Sequence, residues 1–217
     1  MASHARINIP ANPGVSALAS RVNELRALLA MQSPGDIANR TGALYLEMGQ
    51  GRGELHLTLL GMPVIVTYPD FLAINSSTDE KISSLKQALL LYYLQKSTGA
   101  DAGGKWIAFA DLPQGRIYSS AFQGYTGDPI AKQFGTDLGA FCTACERAEG
   151  KTYEFGDASY LFTALPKIEI LITYRLGDED FPSSCVLLFD LNAGCHLPVE
   201  ACAILGSLLT HKVLGEI

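Results

Sequence analysis

The run from Gly156 to Pro198, GDASYLFTALPKIEILITYRLGDEDFPSSCVLLFDLNAGCHLP, limits what this chain can fold into more than any other stretch. Ile168 to Tyr174 is β-branched and aromatic and predicts a strand, and Cys185 to Phe189 predicts a second, mostly buried one. Gly177-Asp178-Glu179-Asp180-Phe181-Pro182 turns the chain between them, Asp190 closes the second strand, and Leu197-Pro198 opens a helix reaching about Val213.

The preceding chain supplies more of both element types. Asn12-Pro13 offers an N-cap followed by proline at the first helical position, and Leu18, Val22, Leu25 and Leu29 recur at helical spacing to about Met31. Ser33-Pro34-Gly35-Asp36 starts a short helix closed by Gly42, giving a helical segment over about 13–41. Residues 43–48, 54–60 and 63–68 then read as an antiparallel meander, and Phe71 to Asn75 as a fourth strand. Gly49 to Gly53 resembles a phosphate-cradling loop, but it lies between two strands instead of opening a helix, so a plain turn is expected. Ser77-Thr78-Asp79-Glu80 matches a capping box, which predicts that the helix carrying Ile82, Leu85, Leu89, Tyr92 and Tyr93 starts there and ends at Thr98-Gly99. Asp128-Pro129 caps a further helix that Gly135-Thr136 bends or divides.

Helices and strands do not alternate strictly and no repeat or linker divides the chain. The expectation is therefore one α+β domain over residues 1–217, with a largely antiparallel sheet flanked by four to five helices. Hydrophobic residues at 48% against 18% charged argue against extended disorder. A net charge of −6 with no Lys/Arg cluster removes the attraction on which nucleic-acid binding depends. The longest apolar run, Ala88 to Leu94, is too short to cross a bilayer, and the N-terminus has no continuous apolar segment of the signal-peptide kind. With five cysteines and no secretory signal, reduced thiols and a cytoplasmic setting are expected.

The candidate chemistry is diffuse. Trp106, Phe109, Tyr118, Phe122 and Tyr125 either line a pocket for a flat ligand or fill ordinary core. Cys142 and Cys145 share a helix face but lack the further thiolates or imidazoles that a zinc or iron–sulfur site needs, so buried structural cysteines are expected. Asp157, Asp178, Glu179, Asp180 and Asp190 lie at strand ends, where carboxylates bind a hard cation, act as acid and base, or simply solvate a turn. His196 precedes the last helix and is a candidate metal or cofactor ligand. There is no nucleophile elbow, Walker motif or dinucleotide fingerprint.

One resemblance adds to this reading. Leu89 to Leu94, Gly104-Lys105-Trp106-Ile107-Ala108-Phe109 with Asp111-Leu112-Pro113, Gly156-Asp157-Ala158, Ala164-Leu165-Pro166, Asp178 to Pro182, Leu188-Phe189-Asp190 and Leu197-Pro198-Val199-Glu200 follow in an order that resembles a bacterial and archaeal family, domain of unknown function 3786. The family-like region covers about 80–215. Members of that family occur mainly in anaerobes, and some are fused to a small iron–sulfur domain of the kind found in corrinoid iron–sulfur proteins. The resemblance therefore implies an accessory protein that binds a corrinoid or other tetrapyrrole, with a corrinoid or iron–sulfur protein as partner. In that reading the five aromatics flank the macrocycle, His196 is its axial ligand and the acidic turn lies at its rim. The alternatives are a metal-assisted hydrolase or lyase that uses Asp157, Asp178, Asp180 or Asp190, and a ligand-free interaction module.

Overall fold

The computed structural model describes residues 21–216. Its two longest helices are buried on nearly every side, and two antiparallel sheets are built around them. Helix α1 (Val22–Ala30) and helix α2 (Pro34–Thr41) come first, and the expected start of α1 at Asn12-Pro13 lies outside the described residues. Ser33 caps α2 by accepting from the Asp36 amide, and Gly42 closes it in the left-handed conformation, as the sequence predicts.

The first sheet is the expected meander, β1 (Leu44–Gly49), β2 (Arg52–Leu59), β3 (Met62–Tyr68) and β4 (Ala73–Asn75), followed by the short β5 (Glu80–Lys81). Gly49 to Gly53 is the plain β1–β2 turn. In β2, Leu55, Leu57 and Leu59 point into the core, while His56 and Thr58 face outward beside Ile65 and Pro63 of β3.

The capping-box expectation fails. The Asn75 side chain accepts from the Ser77 amide and the Asn75 carbonyl accepts from Asp79, so Ser77 to Asp79 forms the β4–β5 turn. Helix α3 (Ser84–Lys96) starts later, with Ser83 as its cap. A local side-chain bond to the backbone competed with helix initiation and won. Once formed, α3 is enclosed from Gln87 to Leu94, so it has no single apolar face.

The second sheet has the order β6 (Trp106–Ala108), β10 (Ser184–Asp190), β9 (Ile168–Arg175), β8 (Ala158–Leu165) and β7 (Lys151–Thr152), all antiparallel. The two strands read from the sequence are thus central neighbours. In strand β8 the outward position between buried Tyr160 and Phe162 holds apolar Leu161, so its sequence lacks the polar–apolar contrast of a one-sided strand although its burial alternates from Tyr160 to Ala164. Between β6 and β7 run helix α4 (Ser119–Tyr125), helix α5 (Gly127–Phe134) and helix α6 (Leu138–Arg147). Gly135, at φ +52°, divides α5 from α6, and Asp137 caps the new helix by accepting from the Ala140 amide.

The last helix, α7 (Val199–Leu214), threads the interior and packs against α3, α5 and α6. Gly206 is needed where α7 meets α4, because a Cβ there would lie 2.7 Å from the Phe122 ring. One contiguous cluster of buried apolar residues runs from Leu25 to Val213 and includes members of both sheets. The fold is α+β, with the strands divided between two sheets. No described helix is long and apolar enough to cross a membrane.

Candidate functional site

The candidate residues do not gather in one place. Phe109 and Phe122 stack directly on each other, with ring centroids 4.1 Å apart and planes at 7°, and Phe189 closes against both. A flat ligand between two rings needs their faces roughly 7 Å apart, twice an ordinary carbon contact. The pair therefore fills core and offers no slot. Tyr125 meets Phe122 edge-on, and half-buried Tyr118 packs against the main core. Burial pushes the Tyr125 hydroxyl up to about 12. Trp106 sits apart, its indole Nε1 donating to the Tyr153 hydroxyl at 3.0 Å.

His196 is fully buried, in a network that ties together α2, the end of α3 and the approach to α7. Ser97 Oγ donates its one proton to the Arg40 carbonyl at 2.8 Å, so at its 2.7 Å contact with His196 Nδ1 it accepts. That assigns the proton to Nδ1 and leaves Nε2 as a lone pair with no hydrogen-bond partner among the described residues. Burial pulls the His196 pKa below its ordinary value and keeps the ring neutral. Beside it, the Tyr93 hydroxyl donates to the Thr41 carbonyl at 2.6 Å and accepts from the Lys167 amide at 3.1 Å. The ring is thus wedged between backbone segments, and this enclosure does not fit an axial ligand reaching a macrocycle held by Phe109 and Phe122.

The carboxylates do not converge. Asp178 Oδ1 accepts from the amides of Asp180 and Phe181 in an exposed turn before β10, and Asp157 Oδ2 accepts from Leu176. Asp190 lies at the far end of β10, roughly 20 Å away at strand rise. It is buried, and its oxygens accept from the amides of Gly103, Gly104 and Asn192 at 2.8–2.9 Å. Those bonds hold the 103–104 loop so that β6 can pair with β10. Asp178, Asp180 and Asp190 are therefore not one cation site, and among the described residues no three His, Cys, Asp or Glu side chains gather as ligands. All five cysteines are free. Burial raises the thiol pKa of Cys145 and Cys185, and that of Cys202 to about 12, which makes these three poor nucleophiles.

A groove that sequence reasoning missed opens where the two sheets meet. The β2–β3 turn, Leu60-Gly61, has left-handed backbone at both residues, φ +50° and +79°. The Leu60 amide donates to the Ala164 carbonyl of β8 at 2.9 Å, which joins one sheet to the other. Lys212, near the end of α7, donates to the Leu60 carbonyl at 2.7 Å and pairs with Glu149 at 2.5 Å. Glu149 is itself left-handed, at φ +68°. Two adjoining cavities of about 280 and 220 Å³ lie on either side of this bridge, and both are lined by Leu60, Gly61, Glu149 and Lys212. The first adds Leu59, Met62, Leu208 and Lys86, and the second adds Lys151, Leu161 and Phe162. Burial lowers the Lys86 pKa. No residue near Leu60 or Glu149 carries a motif; glycine after a strand was the one local sign, and it marks any hairpin.

These features define an α+β protein of two antiparallel sheets with an open, cation-bearing groove at their seam. The model of one family, Domain of unknown function (DUF3786), matches residues 33–212, and the chain belongs to that family. The match includes the first sheet, Leu60-Gly61, Glu149 and Lys212. Neither the curated proteins nor the solved structures contain a match to the chain.

Proposed function

We propose that this protein is a non-catalytic module that binds a small cofactor in the groove between its sheets. The observation that carries this reading is the groove itself: two adjoining cavities with apolar walls and a few convergent polar groups, which is the usual make-up of a small-molecule site. Among the described residues the one acid lining it, Glu149, is already paired with Lys212. The family resemblance names a corrinoid or other tetrapyrrole as the ligand to test first, with a corrinoid or iron–sulfur protein as the partner that delivers or receives it. Free thiols favour a reducing, cytoplasmic setting.

The test is an anaerobic titration of the purified protein with cobalamin, haem and a metal-free porphyrin, followed by absorption. The expected result is a saturable band shift for one of them, retained in His196→Ala provided that variant folds, because the ring lies outside the groove. Flat titrations with all three would remove tetrapyrroles from the reading.

A second reading, a protein-interaction module, has its own observation. Edge strand β1 presents Leu44, Leu46 and Met48 at 61%, 41% and 65% exposure, on a strand that has a neighbour on one side only among the described residues. A monodisperse monomer by light scattering, unchanged by Leu46→Lys, would count against it.

A further inference from the structure

The groove has a charge pattern unlike that of the chain around it. The molecule carries a net charge of −6, yet the residues lining the two cavities include Lys86, Lys151 and Lys212 against the single acid Glu149. Glu149 is committed to Lys212, whose ammonium also donates to the Leu60 carbonyl. Lys86 makes no ion pair or side-chain hydrogen bond among the described residues, although it is half-buried against Leu59, Met62 and Leu208 in the first cavity. A half-buried ammonium beside apolar side chains loses hydration and gains nothing from the protein in return. An anion arriving from solvent would restore that lost interaction, and an apolar body on the anion would cover the leucine and methionine surface.

The backbone around the groove points the same way. Two non-glycine residues, Leu60 and Glu149, hold left-handed conformations on opposite sides of it, and the Lys212 bridge keeps them there. At Gly61 any side chain would strike Glu149 Oε2, at 2.0 Å from the position of a Cβ, and close the junction of the two cavities.

We propose that this groove receives a small organic anion with an apolar body, a carboxylate or phosphate ester head lying between Lys86 and Lys212 and the body lying on Leu59, Met62 and Leu208. The assignment rests on the small-ligand reading of the groove and adds the chemistry that selects the ligand. Charge provides attraction and orientation, and apolar area provides most of the affinity. Either feature alone is insufficient, so acetate and inorganic phosphate lack the body while an uncharged alcohol lacks the head.

The test is calorimetric titration of the full chain with octanoate, octyl phosphate, octanol, acetate and inorganic phosphate. Saturable binding of octanoate or octyl phosphate is expected, at least tenfold tighter than octanol, and which of the two binds more tightly identifies the preferred head. Lys86→Gln should weaken that binding about tenfold without altering thermal unfolding, since Lys86 has no side-chain partner to lose among the described residues. Met62→Trp, at a half-buried position, should block the apolar lobe and serves as an arm independent of the Lys86 charge. Octanol binding as well as octanoate, or anion binding that survives both Lys86→Gln and Met62→Trp, overturns the proposal. Failure of both octyl anions while cobalamin still saturates the protein also overturns it but leaves the small-cofactor reading standing. Failure of every ligand takes both down.

Discussion

Asp190 shows how much one buried carboxylate organises. Three backbone amides converge on its oxygens, and in Asp190→Asn one acceptor becomes a donor that faces another donor. Charge-assisted bonds of this kind are strong, so we expect that change to cost about 2–3 kcal/mol in urea unfolding and to loosen β6, whereas Asp178→Asn in its exposed turn should cost under about 0.5 kcal/mol. His196 makes a pH prediction. Burial lowers its folded pKa below the ordinary 6.5 of the unfolded chain, so between the two values the unfolded chain holds a proton that the folded chain refuses. Its contribution to stability is therefore complete above about pH 6.5 and is lost as pH falls toward the folded pKa, with a slope of at most ~1.4 kcal/mol per pH unit. The wild-type minus His196→Phe difference in unfolding free energy should vary across that window and be flat above it. The cysteines give a third check. Exposed Cys195 should react first with a thiol reagent and half-exposed Cys142 more slowly, while Cys145, Cys185 and Cys202 should wait for unfolding.

At the scale of elements, the start of α3 is the clearest case in which local signals compete. The sequence pattern points to Ser77 as the cap, but Ser83 accepts from an amide in the first helical turn, while Ser77 donates its amide to Asn75. Ser83→Ala should thus cost about 1 kcal/mol and Ser77→Ala nearly nothing, as measured by thermal unfolding. Reversed costs would return the helix start to the capping box. Amphipathic spacing located α1, and cap chemistry located α2. Spacing also located the body of α3, although the capping box misplaced its start, and it missed β8, where half-buried Leu161 puts an apolar residue on the outer face.

For the whole molecule, the decisive feature is the seam. Sheet joins sheet through the bond from Leu60 to Ala164, and α7 lies between elements of both halves within one apolar cluster. Unfolding followed by Trp106 fluorescence, which reports the second sheet, should therefore coincide with unfolding followed by far-ultraviolet circular dichroism. Separate transitions would mean that the sheets are independent units. The groove is legible only at this scale, because Leu60, Lys86, Glu149 and Lys212 come from four distant segments, each unremarkable in its own surroundings. The acidic run Asp178 to Asp180 and the aromatics from Trp106 to Tyr125 drew attention because they are close in sequence, yet folding spent the first on a solvated turn and Phe109 and Phe122 on core. By itself, the amino-acid sequence determined the α+β class, the antiparallel meander, the central hairpin and the helix that follows it, since propensity, turn chemistry and apolar periodicity act over a few residues. Tertiary structure alone decided the division into two sheets, the enclosure of His196 and Asp190, and the placing of a lone lysine beside an apolar groove, since these depend on which distant surfaces exclude water from one another.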